Sequence, residues 1–210
     1  MQVAVIGGTG RTGQQVIAEA LRRGWQVGAL VRDPAKAPAD WQGRVAMVVG
    51  DARDPHRLAE VVRGADAVIS TLGPAGDGSG RGLHAAVAPV LVGAMRQAGV
   101  RRLVAVWGAG VDLPGDAKTP VHRLISALAH RLGRGAVQDK ESEYAAVRDA
   151  DLDWTGVRPP RLTDGPATGA VRSDAQRPVG ITCSRADVAR FVLDEVEQAR
   201  YVRQAPFVAA

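Results

Sequence analysis

The chain opens on a short apolar run, Val3 to Ile6, stopped by Gly7 and Gly8. A run of that length without polar alternation predicts a strand buried on both faces. From about Thr12 to Arg23 the period changes. Val16, Ile17, Ala20 and Leu21 recur at helical spacing, and Gly24 stands at the stop. Trp25 to Val31 predicts a second strand, broken by Asp33-Pro34, and Val45 to Val49 a third, ending at Gly50-Asp51. Asp54-Pro55 predicts an N-cap with proline at the first helical position, followed by the stripe Leu58, Val61, Val62. Ala67 to Ile69 predicts a fourth strand, and a glycine-rich loop runs from Gly73 to Gly82. A longer helix then reaches about Ala98, with Pro89 expected to kink or delay it. Leu103 to Val106 predicts a fifth strand.

Beyond Gly110 the pattern loosens. Residues 111–119 read as a loop, Leu124, Ile125, Leu128 and Leu132 as one helical stripe, and Ala136 to Asp149 as another helix. Leu152 to Val157 predicts a sixth strand, closed by Arg158-Pro159-Pro160. A loop from Thr163 to Pro178 leads to a short strand near Gly180 to Thr182. Ser184 and Asp187 form a capping box before the stripe Val188, Phe191, Val192, Glu195, and Pro206 to Ala209 ends the chain as a short strand. Strands alternating with helices from the first residue predict an α/β fold with a doubly wound parallel sheet. Residues 1–210 read as one domain, with 111–135 and 159–183 covering the substrate side.

Composition narrows the function. Apolar residues are 46% and charged residues 23%, an ordinary globular mixture. The single cysteine, Cys183, excludes an internal disulfide and reads as a small buried residue. No apolar run is long enough to span a bilayer, and Met1 leads into MQVAVIGGTG without a signal-peptide pattern. A cytoplasmic protein is expected. The net charge of +5 could suggest nucleic acid, but the 27 basic residues are dispersed and aromatics are only 4%. The expected partner is a small-molecule substrate, with neither nucleic acid nor membrane.

The strongest motif is GGTGRTG, Gly7 to Gly13, between a predicted strand and a predicted helix. It satisfies G-x-G-x-x-G through Gly8, Gly10 and Gly13, and G-x-x-G-x-x-G through Gly7, Gly10 and Gly13. Such glycines let a pyrophosphate approach the backbone, and the helix start offers it free amides. The end of the second strand selects the cofactor. An acidic residue there would bind the ribose hydroxyls of NAD. This chain has Arg32, and one turn later Lys36, which suit the 2′-phosphate of NADP(H). Asp33 is the competing acidic residue, read instead as the start of the Asp-Pro turn. Asp51 either accepts from the adenine amine or caps the following helix.

GGTGRTG, LVRDPAK, GDARD and DLDWTGVRPPRLTDGPATG together resemble the atypical short-chain dehydrogenases. More narrowly, they resemble the NAD(P)H-binding family that includes flavin and biliverdin reductases, with nitrogen-metabolite-regulator-like proteins as cousins. The resemblance implies a Rossmann-like fold. It implies that Thr9, Gly10, Arg11 and Thr12 hold the pyrophosphate and that Arg32 and Lys36 hold the 2′-phosphate. It places Asp51 and Ala52 at the adenine, and Leu72 and Gly73 behind the ribose. Val106 and Trp107 would lie along the nicotinamide, as would Gly108. Pro160, Arg161 and Leu162 would close over the carboxamide, and Lys140 would reach the nicotinamide ribose.

The chain departs from its relatives where they donate protons. Their Tyr-x-x-x-Lys pair is matched by Ala136 and Lys140, their serine by Gly108, and their histidine after the two prolines by Arg161. Lys140 and Tyr144, one helical turn apart, remain as candidate catalytic residues. Trp107 is a candidate stacking wall for a flat acceptor, with core filling as its alternative, and Arg161 a candidate for binding an acidic one. His122 and His130 read as solvated helix residues, His56 and His84 carry no evident partner, and no zinc-binding spacing occurs. The expected function is an NADPH-dependent reductase of a flavin, quinone or bilin-like acceptor. The alternatives are a catalytically reduced NADP-binding sensor and a non-redox isomerase or cyclase.

Overall fold

The computed structural model describes residues 1–73, 82–120, 131 and 134–210. Most of the glycine-rich loop, the helix expected over Leu124 to Leu132, and both His122 and His130 lie outside the described residues. Six strands form the central sheet: β1 (Gln2–Ile6), β2 (Gln26–Val31), β3 (Val45–Val49), β4 (Ala67–Ser70), β5 (Arg102–Val106) and β6 (Asp153–Val157). All are parallel, in the order β3-β2-β1-β4-β5-β6. The order reverses between β1 and β4. That switch point opens a crevice at the carboxyl ends of the strands.

Apolar residues without alternation are what a sheet covered on both faces requires. Val3 and Val5 face one side, where α1 (Arg11–Arg22) and α5 (Arg185–Gln198) pack through Val16, Ile17, Val188 and Val192. Ala4 and Ile6 face the other side, where α2 (Pro55–Val62), α3 (Leu83–Ala98) and α4 (Arg134–Arg148) lie, with Leu58, Leu91, Met95 and Val147 in the core. No full helix joins β2 to β3. Two single turns, Pro34–Lys36 and Ala39–Trp41, replace it, and the buried Trp41 fills the space beside Ile17.

The structure adds detail at two places. The segment expected as a loop over Thr163 to Pro178 contains β8 (Arg172–Asp174), paired antiparallel with β10 (Phe207–Ala209). The strand expected near Gly180 to Thr182 is β9 (Thr182–Ser184), paired with β7 (Arg161–Thr163). Three-residue strands are too short to carry a readable period, so their partners decide them. Pro89 neither delays nor ends α3, which starts at Leu83 and continues through it.

The capping box forms as expected. Ser184 Oγ accepts from Asp187 N at 2.9 Å and donates to the Asp187 carboxylate at 2.8 Å. The fully buried Asp187 also accepts from Thr168 N at 3.0 Å and Gly169 N at 3.1 Å, so it anchors the loop after β7 to the start of α5. Burial opposes its ionisation, but these donors outweigh burial and hold the carboxyl below the usual carboxylate range. Cys183 is buried, and burial pushes its thiol up to about 11. Among the described residues no helix is long and apolar enough to cross a membrane.

Candidate active site

The crevice at the switch point holds a groove of about 380 Å³. Gly7, Thr9, Gly10, Arg11 and Thr12 line it from the glycine loop, Arg32 and Lys36 from the end of β2, and Asp51 and Ala52 from the end of β3. Leu72 and Gly73 line it from the end of β4. The glycine loop is tightly wound. Gly10 N donates to Gly7 O at 3.0 Å, and a Cβ on Gly13 would lie 2.3 Å from that same oxygen. Gly13 therefore does not line the groove; it lets α1 start hard against the loop. Among the described residues no side chain caps α1. Its first amides are left for a ligand, as an anion-binding helix start requires. This cradle fits a dinucleotide pyrophosphate.

At the rim, Asp33 accepts from Ala35 N at 3.0 Å and starts the turn that brings Lys36 beside Arg32. Both cations are exposed and both line the groove. Asp51 accepts from Arg53 N at 2.8 Å, a turn contact that still leaves it on the groove wall. The cap of α2 is Asp54, which accepts from His56 N at 2.8 Å.

Behind the ends of β4 and β5 lies a buried polar cluster. Lys140 Nζ donates to Leu72 O at 2.9 Å and to Val106 O at 2.8 Å, and lies 3.4 Å from Glu143 Oε2. An ammonium has three N–H groups, and each has an acceptor here. These contacts tie the ends of two strands together through Lys140, beside the role at the cofactor ribose that the resemblance implies. Burial pushes its pKa down, and Glu143 opposes that. For Glu143, burial works against ionisation, but the Lys140 ammonium and the nearby His84 prevail and hold the carboxyl at about 2. His84 Nδ1 sits 2.8 Å from Glu143 Oε2, off the line a good hydrogen bond needs. Asp139 accepts from His84 N at 3.0 Å and Ala85 N at 2.8 Å, capping α3 from a neighbouring helix.

Trp107 is 7% exposed and its ring lies 5.7 Å from those of both Tyr144 and Trp154. A Cβ on Gly156 would sit 2.1 Å from the Trp107 ring, so the glycine in β6 makes room for the indole. Trp107 thus packs in the core, the alternative to a stacking wall. Tyr144 closes the cluster with Trp154 at 5.8 Å. Tyr144 is half-buried and packs against this core. None of Trp107, Tyr144 and Val106 is among the described residues lining the groove.

A second cavity, of about 460 Å³, opens over the ends of β5 and β6. Its walls are Gly108, Ala109, Gly110, Pro159, Pro160, Pro178 to Ile181 and Phe207 to Ala209, with Lys118, Arg158 and Arg161 as its cations. Pro160 and Arg161 therefore belong to this space and not to the groove. The cavity is lined by Pro160 and Arg161 and, among the described residues, not by Trp107. Arg158 is fixed, paired through both nitrogens with Asp116 at 2.7 and 2.8 Å and stacked 3.7 Å over Phe207. Lys118 is buried and donates to Ala109 O at 3.1 Å and to Asp112. Arg161 is exposed. Among the described residues the lining contains no histidine, tyrosine, serine or carboxylate.

The sequence reading missed Lys118, Arg185 and the Asp139–Glu143–His84 cluster. One signal was present: lysine occurs three times among 27 basic residues. Lys36 lines the groove, Lys118 the second cavity, and Lys140 ties the strand ends between them.

Comparison with known proteins agrees with this geometry. A profile of the family described as NAD(P)H-binding matches residues 7–199. YwnB of Bacillus subtilis is 27% identical over 204 residues, covering 94% of this chain and 92% of that protein. A protein of Burkholderia pseudomallei with a crystal structure is 33% identical, covers 100% of both chains and has a TM-score of 0.81. ChuY of Escherichia coli O157:H7, an anaerobillin reductase, is 24% identical over 100% of this chain and 97% of its own, with a TM-score of 0.83. The likeness to ChuY is one of fold.

Proposed function

The chain belongs to the NAD(P)H-binding family, and from that premise we propose that it is an NADPH-dependent reductase of a planar conjugated acceptor such as a flavin, a quinone or a bilin-like ring. In this reading the uncapped start of α1 and the amides of the glycine loop hold the pyrophosphate. Arg32 and Lys36 hold the 2′-phosphate, with Asp51 and Ala52 along the adenine. When bound, the cofactor supplies a hydride. The protein supplies placement: Gly73, after β4, lines the groove, and Gly108, after the neighbouring β5, lines the acceptor cavity.

The observation that carries the proposal is an apolar cavity beside the cofactor groove whose described lining holds cations but none of the usual proton donors. General acid help is worth about 10²- to 10⁴-fold where an alkoxide must be protonated as it forms. A flavin or quinone spreads the incoming charge over its rings and takes its proton from water. Arg161, exposed at the rim, favours an acceptor carrying a carboxylate or phosphate. A cofactor-binding regulator is the second reading, favoured by the full engagement of Lys140 in structure.

Steady-state NADPH oxidation separates them. Free flavins or quinones are expected to be reduced and simple aliphatic ketones not. Arg161→Ala is expected to raise KM several-fold for acidic acceptors only. Brisk ketone reduction without flavin or quinone activity would overturn the proposal, and cofactor binding without any turnover would favour the regulator.

A further inference from the structure

Arg185 opens α5, the helix that packs beside α1, and its side chain is only 10% exposed. It nevertheless lines the cofactor groove, together with Thr9, Gly10, Arg11 and Thr12. Its partner is Asp164, whose Oδ1 accepts from Arg185 Nη1 at 2.6 Å. The other oxygen of the same carboxylate accepts from Arg11 Nη1 at 3.3 Å. One carboxylate thus bridges two guanidiniums at the edge of the glycine loop. Asp164 itself is 67% exposed, so burial does not hold it there; the two arginines do.

We propose that Arg11 and Arg185 form a two-arginine clamp for the cofactor's pyrophosphate, and that Asp164 is an internal stand-in which the incoming diphosphate displaces. The inference rests on the dinucleotide reading of the groove. Guanidinium groups match carboxylate and phosphate oxygens with the same planar fork, so one site serves both anions in turn. A single carboxylate balances one of the two arginines, whereas a pyrophosphate carries about two negative charges and balances both. Closing the clamp on the ligand removes repulsion that the cofactor-free protein retains.

The position of Asp164 gives the exchange a second consequence. It directly follows β7 (Arg161–Thr163), whose first residue lines the acceptor cavity. Four residues later the chain is held at Thr168 and Gly169 by the buried Asp187. Only residues 164–167 lie between the two fixed points, so release of Asp164 is absorbed there, next to Arg161. Cofactor in the groove and the rim of the acceptor cavity share that short link.

The test is a binding titration of the full chain with two probes, NADPH and 2′-AMP, which carries the adenosine 2′-phosphate but no pyrophosphate. Asp164→Asn removes the competing charge and keeps the side-chain shape. It is expected to tighten NADPH by roughly three- to tenfold and leave 2′-AMP unchanged. Arg185→Gln is expected to weaken NADPH by about tenfold or more, again without effect on 2′-AMP. The double variant should bind NADPH like Arg185→Gln, with little gain from the added Asp164→Asn change, since the stand-in has lost its main partner. Melting curves of each variant report whether the fold survives. Unchanged or weaker NADPH binding by a folded Asp164→Asn protein overturns the proposal, as does an unchanged Arg185→Gln. Wild-type protein that binds neither probe overturns the dinucleotide reading itself, and this inference with it.

Discussion

Replacing Glu143 by glutamine is expected to destabilise the protein by about 3–5 kcal/mol, the cost of leaving one member of a buried ion pair uncompensated. The Lys140 ammonium is buried against two backbone carbonyls and one carboxylate, and glutamine removes the negative charge of that carboxylate. In a domain of this size, 1 kcal/mol moves the melting temperature by about 2–4 °C, so a loss of roughly 6–20 °C is expected. Lys140→Met combined with Glu143→Gln should recover part of it, because an apolar replacement needs no counter-charge. The pH dependence follows in sign. The folded-state pKa of Glu143 is about 2, below its ordinary value of 4.5. A depressed carboxyl contributes stability that is present above the unfolded value and is lost as pH falls through the folded one. Between about pH 4.5 and 2 the wild type should therefore lose stability more steeply than the Glu143→Gln variant. Thermal melts across that range check both points, and a variant within about 0.5 kcal/mol of wild type would show that the cluster is not a clamp.

The second large effect concerns cofactor choice. Wild-type protein is expected to bind NADPH at least tenfold more tightly than NADH, about 1.4 kcal/mol or more. Arg32→Ala removes charge-assisted hydrogen bonding to the 2′-phosphate worth about 1.5–3 kcal/mol in all, so NADPH affinity should fall by roughly 10- to 150-fold. NADH, which lacks that phosphate, should be nearly unaffected. Lys36→Ala should act in the same direction but less, since an ammonium is a point charge without the planar fork. Isothermal titration of both cofactors with the three proteins decides it. Equal affinity of the wild type for NADPH and NADH would contradict this assignment of Arg32 and Lys36.

What the sequence showed and what it hid follow from how local each feature is. The glycine loop, the Asp33 turn, the Asp54 cap and the Ser184–Asp187 box are each set by residues within a few positions of one another. They were legible, and β3 emerged with the bounds the apolar run gave. The rest is set by contacts across the fold. Trp107 follows the strand it was expected to follow, but whether its ring faces a ligand or the core depends on Gly156 and Tyr144, far along the chain. The family pattern singled out Lys140 but did not show its contacts, because its acceptors, Leu72 O and Val106 O, are backbone atoms that no side-chain pattern reveals. His84 finds Glu143 only because α3 and α4 pack side by side. Arg185 was hidden inside the capping box it follows: its neighbours explained the helix start, and nothing local pointed its side chain at the glycine loop.

In the proposed function a dinucleotide in the groove passes hydride to an acceptor over the ends of β5 and β6. Its most direct measurement is a single-turnover, oxygen-free reaction of enzyme-bound NADPH with a free flavin, followed through loss of the reduced nicotinamide absorbance. It is run with unlabelled cofactor and with each of the two forms deuterated at the transferring carbon. Enzyme-dependent oxidation is expected, slowed by deuterium in one of the two positions only, because a fixed site presents one face of the nicotinamide. Tight NADPH binding with no oxidation, or oxidation slowed equally by both labels, would contradict it.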